Sequence, residues 1–184
     1  MRVLLDACVL YPTVMREMLL GVAAAGGFEP CWSARILEEW ALAARKLGPE
    51  GEAYARGEIA MLSVTFAEAP VTPAPDLIQR LWLPDENDIH VFAAAIACGA
   101  DVIVTANAKD FPREVLAEEG LSRADPDLFL LGHWEADPAR VETVAARVLG
   151  EARRLSGEDW QMRALMKKAR LPRLGKALAH SATI

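Results

Sequence analysis

Four acidic residues lie far apart in the chain, each where a carboxylate could do chemistry: Asp6, Glu39, Asp88 and Asp110. Asp6 directly follows the apolar run Val3-Leu4-Leu5, and a charge at the end of a buried strand is costly unless it meets a partner. Asp88 opens a nearly all-apolar stretch. Asp110 follows the β-branched run Val102-Ile103-Val104-Thr105 by five residues, with Asn107 between them. Carboxylates forced together raise one another's pKa unless a cation neutralises them. A hard divalent ion such as Mg2+ does this with few carboxylates, because it takes oxygen ligands at roughly 2.0–2.1 Å and keeps several waters. Such an ion can make a water more acidic and steady a departing phosphate oxygen. With only His90, His133 and His180, a histidine-based zinc site is poorly supplied. No cysteine is placed as a nucleophile.

The elements needed to bring these groups together can be read from the pattern. Val3–Leu5 and Asp101–Thr105 are short apolar runs of the kind found in buried parallel strands. Helices are expected from Pro12 to about Ala25, from the N-cap Ser33 through Leu47, and over Glu52–Leu62. Ala69–Pro75, with three prolines, is an extended connector. A short helix capped by Asp76 and a polar turn, Pro84–Asp88, precede a buried helix over Ile89–Cys98 that stops at Gly99. Another short helix follows Phe111-Pro112. Asp127–Leu131 reads as either a strand or a helical turn. Three helices fill the C-terminal part: Pro138–Leu155, Glu158–Lys168 and Arg173–Ala179. Strands alternating with helices indicate an α/β protein, and polar groups then gather beyond the carboxyl ends of the strands.

At 184 residues the chain suits one domain with an appendage. Its 53% apolar and 25% charged residues are ordinary for a globular protein. The formal charge of -6 is unevenly spread. From Glu151 on there are eight basic and three acidic residues, a net +5, against -11 for the first 150 residues. That asymmetry fits either a segment facing a polyanion or a solvated helix surface. Three cysteines without ligand spacing fit buried free thiols and a cytoplasmic protein. The early Asp6 rules out a secretory apolar region, and Asp101 interrupts the apolar run Val91–Ala106 before it could span a membrane.

Taken together, the N-terminal strand ending in Asp6, Ser33-x5-Glu39, Asp85-x2-Asp88-x-His90-Val91-x-Ala93-Ala94 and Val104-Thr105-x-Asn107-x2-Asp110-Phe111-Pro112 resemble the PIN-domain family. The VapC-type toxins of bacterial toxin–antitoxin pairs are the nearer likeness. The similarity covers about residues 1–131 as a nuclease domain and leaves 132–184 as a helical extension. It implies a three-layer α/β/α fold around a parallel sheet. It further implies a Mg2+- or Mn2+-dependent endoribonuclease that cleaves RNA phosphodiester bonds and is silenced by a cognate antitoxin protein, with homodimers possible. By that resemblance Asp6, Glu39, Asp88 and Asp110 are metal-binding acids, and Thr105 is the threonine before the last loop. Asn107 departs from the acid that many members carry there: its amide oxygen can ligate but brings no charge.

Each position also has a structural alternative. Glu38 and Glu39 point about 100° apart on a helix, so one of them faces the site; the family spacing favours Glu39. Asp88 and Asp85 could instead cap or turn the loop, and Asp110 could cap the short helix after it. Asp101, before its strand, reads as structural, His90 as a residue that packs or hydrogen-bonds rather than ligates metal, and Trp134 and Trp160 as core. A haloacid-dehalogenase-like phosphatase would need a second Asp two residues after the first, where this chain has Cys8. A PIN fold that binds RNA or protein without cutting, or an RNA-processing nuclease outside a toxin pair, is the alternative function.

Overall fold

The backbone of β1 (Arg2–Leu5) pairs on both sides, and the rest of the sheet is built outward from it. The computed structural model describes residues 1–181. Five parallel strands run in the order β3-β2-β1-β4-β5, with β2 over Glu29–Ser33, β3 over Pro70–Val71, β4 over Val102–Val104 and β5 over Ser122–Ala124. Val3, Leu4 and Leu5 are fully buried, as are Ile103 and Val104, which explains why two central strands are short unbroken apolar runs. In register, Leu5 faces Val104, so Asp6 and Thr105 leave the sheet side by side. The strand order reverses at β1, and in parallel sheets functional groups gather beyond the carboxyl ends of the strands at such a reversal, here β1 and β4.

The chain forms two compact units, the first comprising residues 1–11 and 29–124, the second 12–28 and 125–184. In the first, the sheet is flanked by helices. They are α1 (Ala7–Leu10), α3 (Ala34–Ala43), α4 (Gly51–Thr65), α5 (Pro75–Arg80), α6 (Ile89–Cys98) and α7 (Arg113–Glu118). Ser33 caps α3 as its sequence predicts, its Oγ accepting from Ile36 N at 3.3 Å. That fixes the helix so that Ile36, Trp40 and Ala41 are buried. The helix α6 packs against β1 and β2 and is buried along most of its length. Gly99 ends it at a φ of 63°, a conformation that favours glycine. Against the expectation of free thiols, Cys31 in β2 and Cys98 at the end of α6 are joined by a disulfide, their Cα atoms 6.8 Å apart. Cys8 is the free cysteine.

The second unit gathers α2 (Thr13–Ala24), α8 (Pro126–Ala136), α9 (Pro138–Ser156), α10 (Met162–Lys168) and α11 (Pro172–Ser181). Residue 131, where the sequence reading divides the chain, falls inside α8, which settles Asp127–Leu131 as helical. Asp125 and Asp137 cap α8 and α9 by accepting from backbone N–H groups. Within this unit α2 packs on α8 and α9, with Gly21 against Val144 of α9. A Cβ there would lie 2.5 Å from Cγ1 of Val144. Gly21→Ala should therefore cost about 1 kcal/mol despite its better helix propensity, lowering Tm by roughly 2–4 °C. Differential scanning calorimetry checks this. Trp134 and Trp160 are half-buried rather than core, with indole N–H groups donating to Glu142 and Ser156. Among the described residues no helix is long and apolar enough to cross a membrane.

Candidate metal centre

Asp6 is the N-cap of α1 and only 6% exposed. Its Oδ2 accepts from Thr105 Oγ1 at 2.7 Å and from the Cys8 thiol at 3.0 Å. Thr105 in turn accepts from Asn107 N at 2.9 Å, so a line of donors runs from the β4 loop through Thr105 to Asp6. Both donors converge on one oxygen of Asp6. Burial, with help from the Asp6 charge, pushes the Cys8 thiol up to about 12, so it remains a neutral donor. That role excludes Cys8 as a thiolate nucleophile.

Oxygens of Asp85, Asp88 and Asp110 lie within 4.8 Å of one another. Asp88 precedes α6, Asp85 begins the 3-10 turn Glu86–Asp88, and Asp110 ends the 3-10 turn Ala108–Asp110 after β4. The tight turn explains the pairing of Asp85 with Asp88, since residues three apart eclipse in a 3-10 turn. Asp85 also caps that turn, accepting from Asn87 N at 2.9 Å. Capping and cluster membership are thus compatible, and Asp85 is the acid that the four-residue sequence set leaves out. Asn107 donates its Nδ2 to Asp88 Oδ2 at 3.2 Å, which turns its amide nitrogen toward the cluster.

Burial and then the charges of Asp6, Asp85 and Asp110 push the Asp88 carboxyl up to about 6. Burial disfavours the charged form first, the neighbouring carboxylates add to it, and His90 works the other way. A donor set of carboxylate oxygens, half-buried and mutually repelling, fits a hard divalent cation. Millimolar Mg2+ or Mn2+ should therefore raise Tm at pH 7.5. The gain should shrink at pH 5, where a proton on Asp88 competes with the cation; scanning fluorimetry at the two pH values reads this.

Glu39 stands outside the three-carboxylate group. Its Oε1 lies 2.8 Å from Nε2 of buried His90 and 3.3 Å from Arg35 Nε. Burial works against ionisation of Glu39, yet the contacts with His90 and Arg35 hold its carboxyl below the usual range. Arg35 also donates to Asn87 O at 3.4 Å, which ties α3 to the turn that carries Asp88. Glu38 points elsewhere, in a bidentate pair with Arg56 of α4 at 2.8 Å for each contact. Asp101 accepts from Arg2 N at 2.8 Å at the opposite end of β4, a structural role as its position suggests.

The sequence model of the PIN domain matches residues 2–109, a span that contains Asp6, Glu39, Asp85, Asp88, Thr105 and Asn107 and stops one residue before Asp110. No curated protein and no solved structure matches the sequence. PIN domains are in general nucleases that act on nucleic acid with divalent metals. With more than half of its length covered, the chain belongs to the PIN-domain family.

Proposed function

We propose that this protein is a Mg2+- or Mn2+-dependent endoribonuclease, and that it is the toxin of a type II toxin–antitoxin pair. The observation that carries the nuclease reading is the three-carboxylate group of Asp85, Asp88 and Asp110, set beyond the β4 end of a PIN-domain sheet and close enough to Asp6 to raise Asp88. The toxin assignment rests on the VapC-like order and spacing of the sequence motifs. Single-stranded or loop RNA is the substrate class, since exposed strands can be threaded past such a site.

In this reading Asp88, Asp110 and Asp85 hold the cation, with Asp6 beside them. When bound, that ion supplies charge stabilisation at the phosphate and a more acidic water. Thr105 and Cys8 occupy one oxygen of Asp6 and so fix which oxygen is left to face the cluster. The Asn107 amide orients Asp88. Glu39, ionised and held by Arg35 and His90, adds negative charge on the α3 side and steers the start of α6 through His90.

The test is incubation of the purified protein with dye-labelled structured and unstructured RNA in Mg2+ or Mn2+, with and without chelator. Metal-dependent internal cleavage is expected. Cleavage that persists in chelator contradicts the proposal. RNA binding without cleavage under any condition favours a non-cutting binding module.

A further inference from the structure

The sequence after Asp159 contains six lysines and arginines and no acidic residue, within a chain of net charge -6. Elsewhere most exposed arginines meet carboxylates, as Arg35 does with Glu39, Arg56 with Glu38, Arg80 with Glu119 and Arg154 with Glu151, and Arg113 and Lys46 stand singly rather than in a group. Arg163, Lys167, Arg170, Arg173 and Lys176 are exposed and form no ion pair among the described residues. The sixth, Lys168, sits 4.5 Å over the Trp160 ring.

The fold of this segment holds the five free cations on one structural unit. The helices α10 and α11 form a hairpin whose buried side is Leu165, Met166, Leu171, Leu174 and Leu178. Gly175 allows the close approach; a Cβ there would come 2.7 Å from Met166 Cβ. The opposite sides carry Arg163 and Lys167 one turn apart on α10, and Arg173 and Lys176 three apart on α11. Arg170 lies between them. It ends α10 at a φ of 62°, with Leu171 N donating to Met166 O at 2.8 Å, the position that glycine normally fills. A bulky cation stands there despite its backbone cost.

From these observations we infer that the exposed cations of the α10–α11 hairpin form a binding surface for the phosphate backbone of single-stranded RNA. It rests on the nuclease reading for the identity of the polyanion. Among the described residues, the exposed positions between Arg163 and Lys176 are small or polar, as at Ala164 and Pro172, and the apolar cavity lined by Leu155, Trp160 and Leu165 opens beside Lys168 rather than among the five cations. A protein partner would need an apolar or aromatic anchor at the centre of its interface. A phosphate chain needs only spaced cations.

The test measures binding of a dye-labelled single-stranded RNA of about 20 nucleotides by fluorescence anisotropy, in chelator so that the RNA stays intact. Full-length protein is compared with the variant Lys167→Gln/Arg170→Gly/Arg173→Gln/Lys176→Gln across a KCl series. The variant should bind at least about tenfold more weakly at 0.1 M salt. The slope of log K against log salt should flatten by about 3, because each phosphate neutralised on a single strand accounts for roughly 0.7. Arg170→Gly alone should bind more weakly while melting about 2 °C higher, because it relieves the backbone; that separates the role of the cation from the integrity of the fold. The charge-conserving pair Lys167→Arg/Lys176→Arg should bind like the parent. Unchanged affinity and slope in the quadruple variant would overturn the inference. So would a polyglutamate peptide that binds as tightly as the RNA, since it would indicate an acidic protein partner. Cleavage of the same RNA in Mn2+ is read in parallel. An uncleaved RNA whose binding still depends on these cations leaves the surface standing and removes only the nuclease reading.

Discussion

Asp88→Asn is expected to abolish RNA cleavage while making the metal-free protein more stable. The carboxyl of Asp88 is pushed up to about 6, first by burial and then by Asp6, Asp85 and Asp110. The folded chain therefore holds a proton on Asp88 more tightly than the unfolded chain, whose carboxyl titrates near 4. At pH 7.5 the group is ionised in both states, and its charge weakens the fold. A full conversion of that difference is about 3 kcal/mol; Asp88 is half-exposed, so solvent screening reduces it to about 1 kcal/mol. The sign fixes the pH window. Relative to the amide variant, the parent loses stability as pH rises through about 6, and the difference vanishes below about 4. The neutral amide keeps the shape but removes one charge from the group that would hold the cation. A loss of activity of at least about 100-fold follows from the size of comparable electrostatic contributions. Urea denaturation without metal at pH 7.5 and pH 4, alongside the cleavage assay, reads both parts. A variant that is less stable than the parent without metal and still cleaves would contradict the reasoning.

Asp127→Ala should be the most damaging single change in the helical unit. Asp127 is 3% exposed, and its two oxygens accept from Arg173 N and Leu174 N at 3.0 Å each. One buried carboxylate on α8 thus caps the first turn of α11, where a negative charge also suits the helix dipole. Truncation leaves both N–H groups without a partner. The cost is about 3 kcal/mol, or roughly 6–12 °C in Tm. Asp127→Asn keeps an acceptor and should lose about half as much. Amide hydrogen exchange should show the first turn of α11 opening before the rest of the unit. Protection there that survives Asp127→Ala would show that packing of Leu174 and Leu178 alone fixes the helix.

How much of this was legible in the sequence depended on whether the signal was local. The strands β1 and β4 are apolar because both faces are covered, so their runs stand out. Three others carried no such mark. Glu29-Pro30 hides β2, a two-residue β3 lies in a proline-rich connector, and Ser122-Arg123-Ala124 is a polar edge strand. Helix starts were readable at Ser33 and Asp137, where a side chain caps its own helix, but not at Asp125, whose α8 lacks a clear helical period. The cap on α11 was not readable either, because it comes from Asp127, 46 residues earlier in the chain.

The candidate site divides in the same way. Asp6 beside Thr105 follows from two strands ending in register. Asp88 meeting Asp110 follows from loops converging beyond the sheet. Asp85 had a sufficient local explanation as a turn residue, which concealed its place in the cluster. The choice between Glu38 and Glu39 depended on tertiary partners, Arg56 for one and His90 for the other. The Cys31–Cys98 link likewise joins a strand and a helix end 67 residues apart, with no spacing signal.

Metal-dependent chemistry at this site requires, before anything else, that the carboxylate group hold a divalent cation. Calorimetric titration of Mn2+ into the protein at pH 7.5, compared with Asp88→Asn under the same conditions, measures that. Saturable binding by the parent, weakened at least about tenfold in the variant together with loss of RNA cleavage, is the predicted result. Equal Mn2+ binding by both proteins, or RNA cleavage that continues in excess chelator, would contradict it.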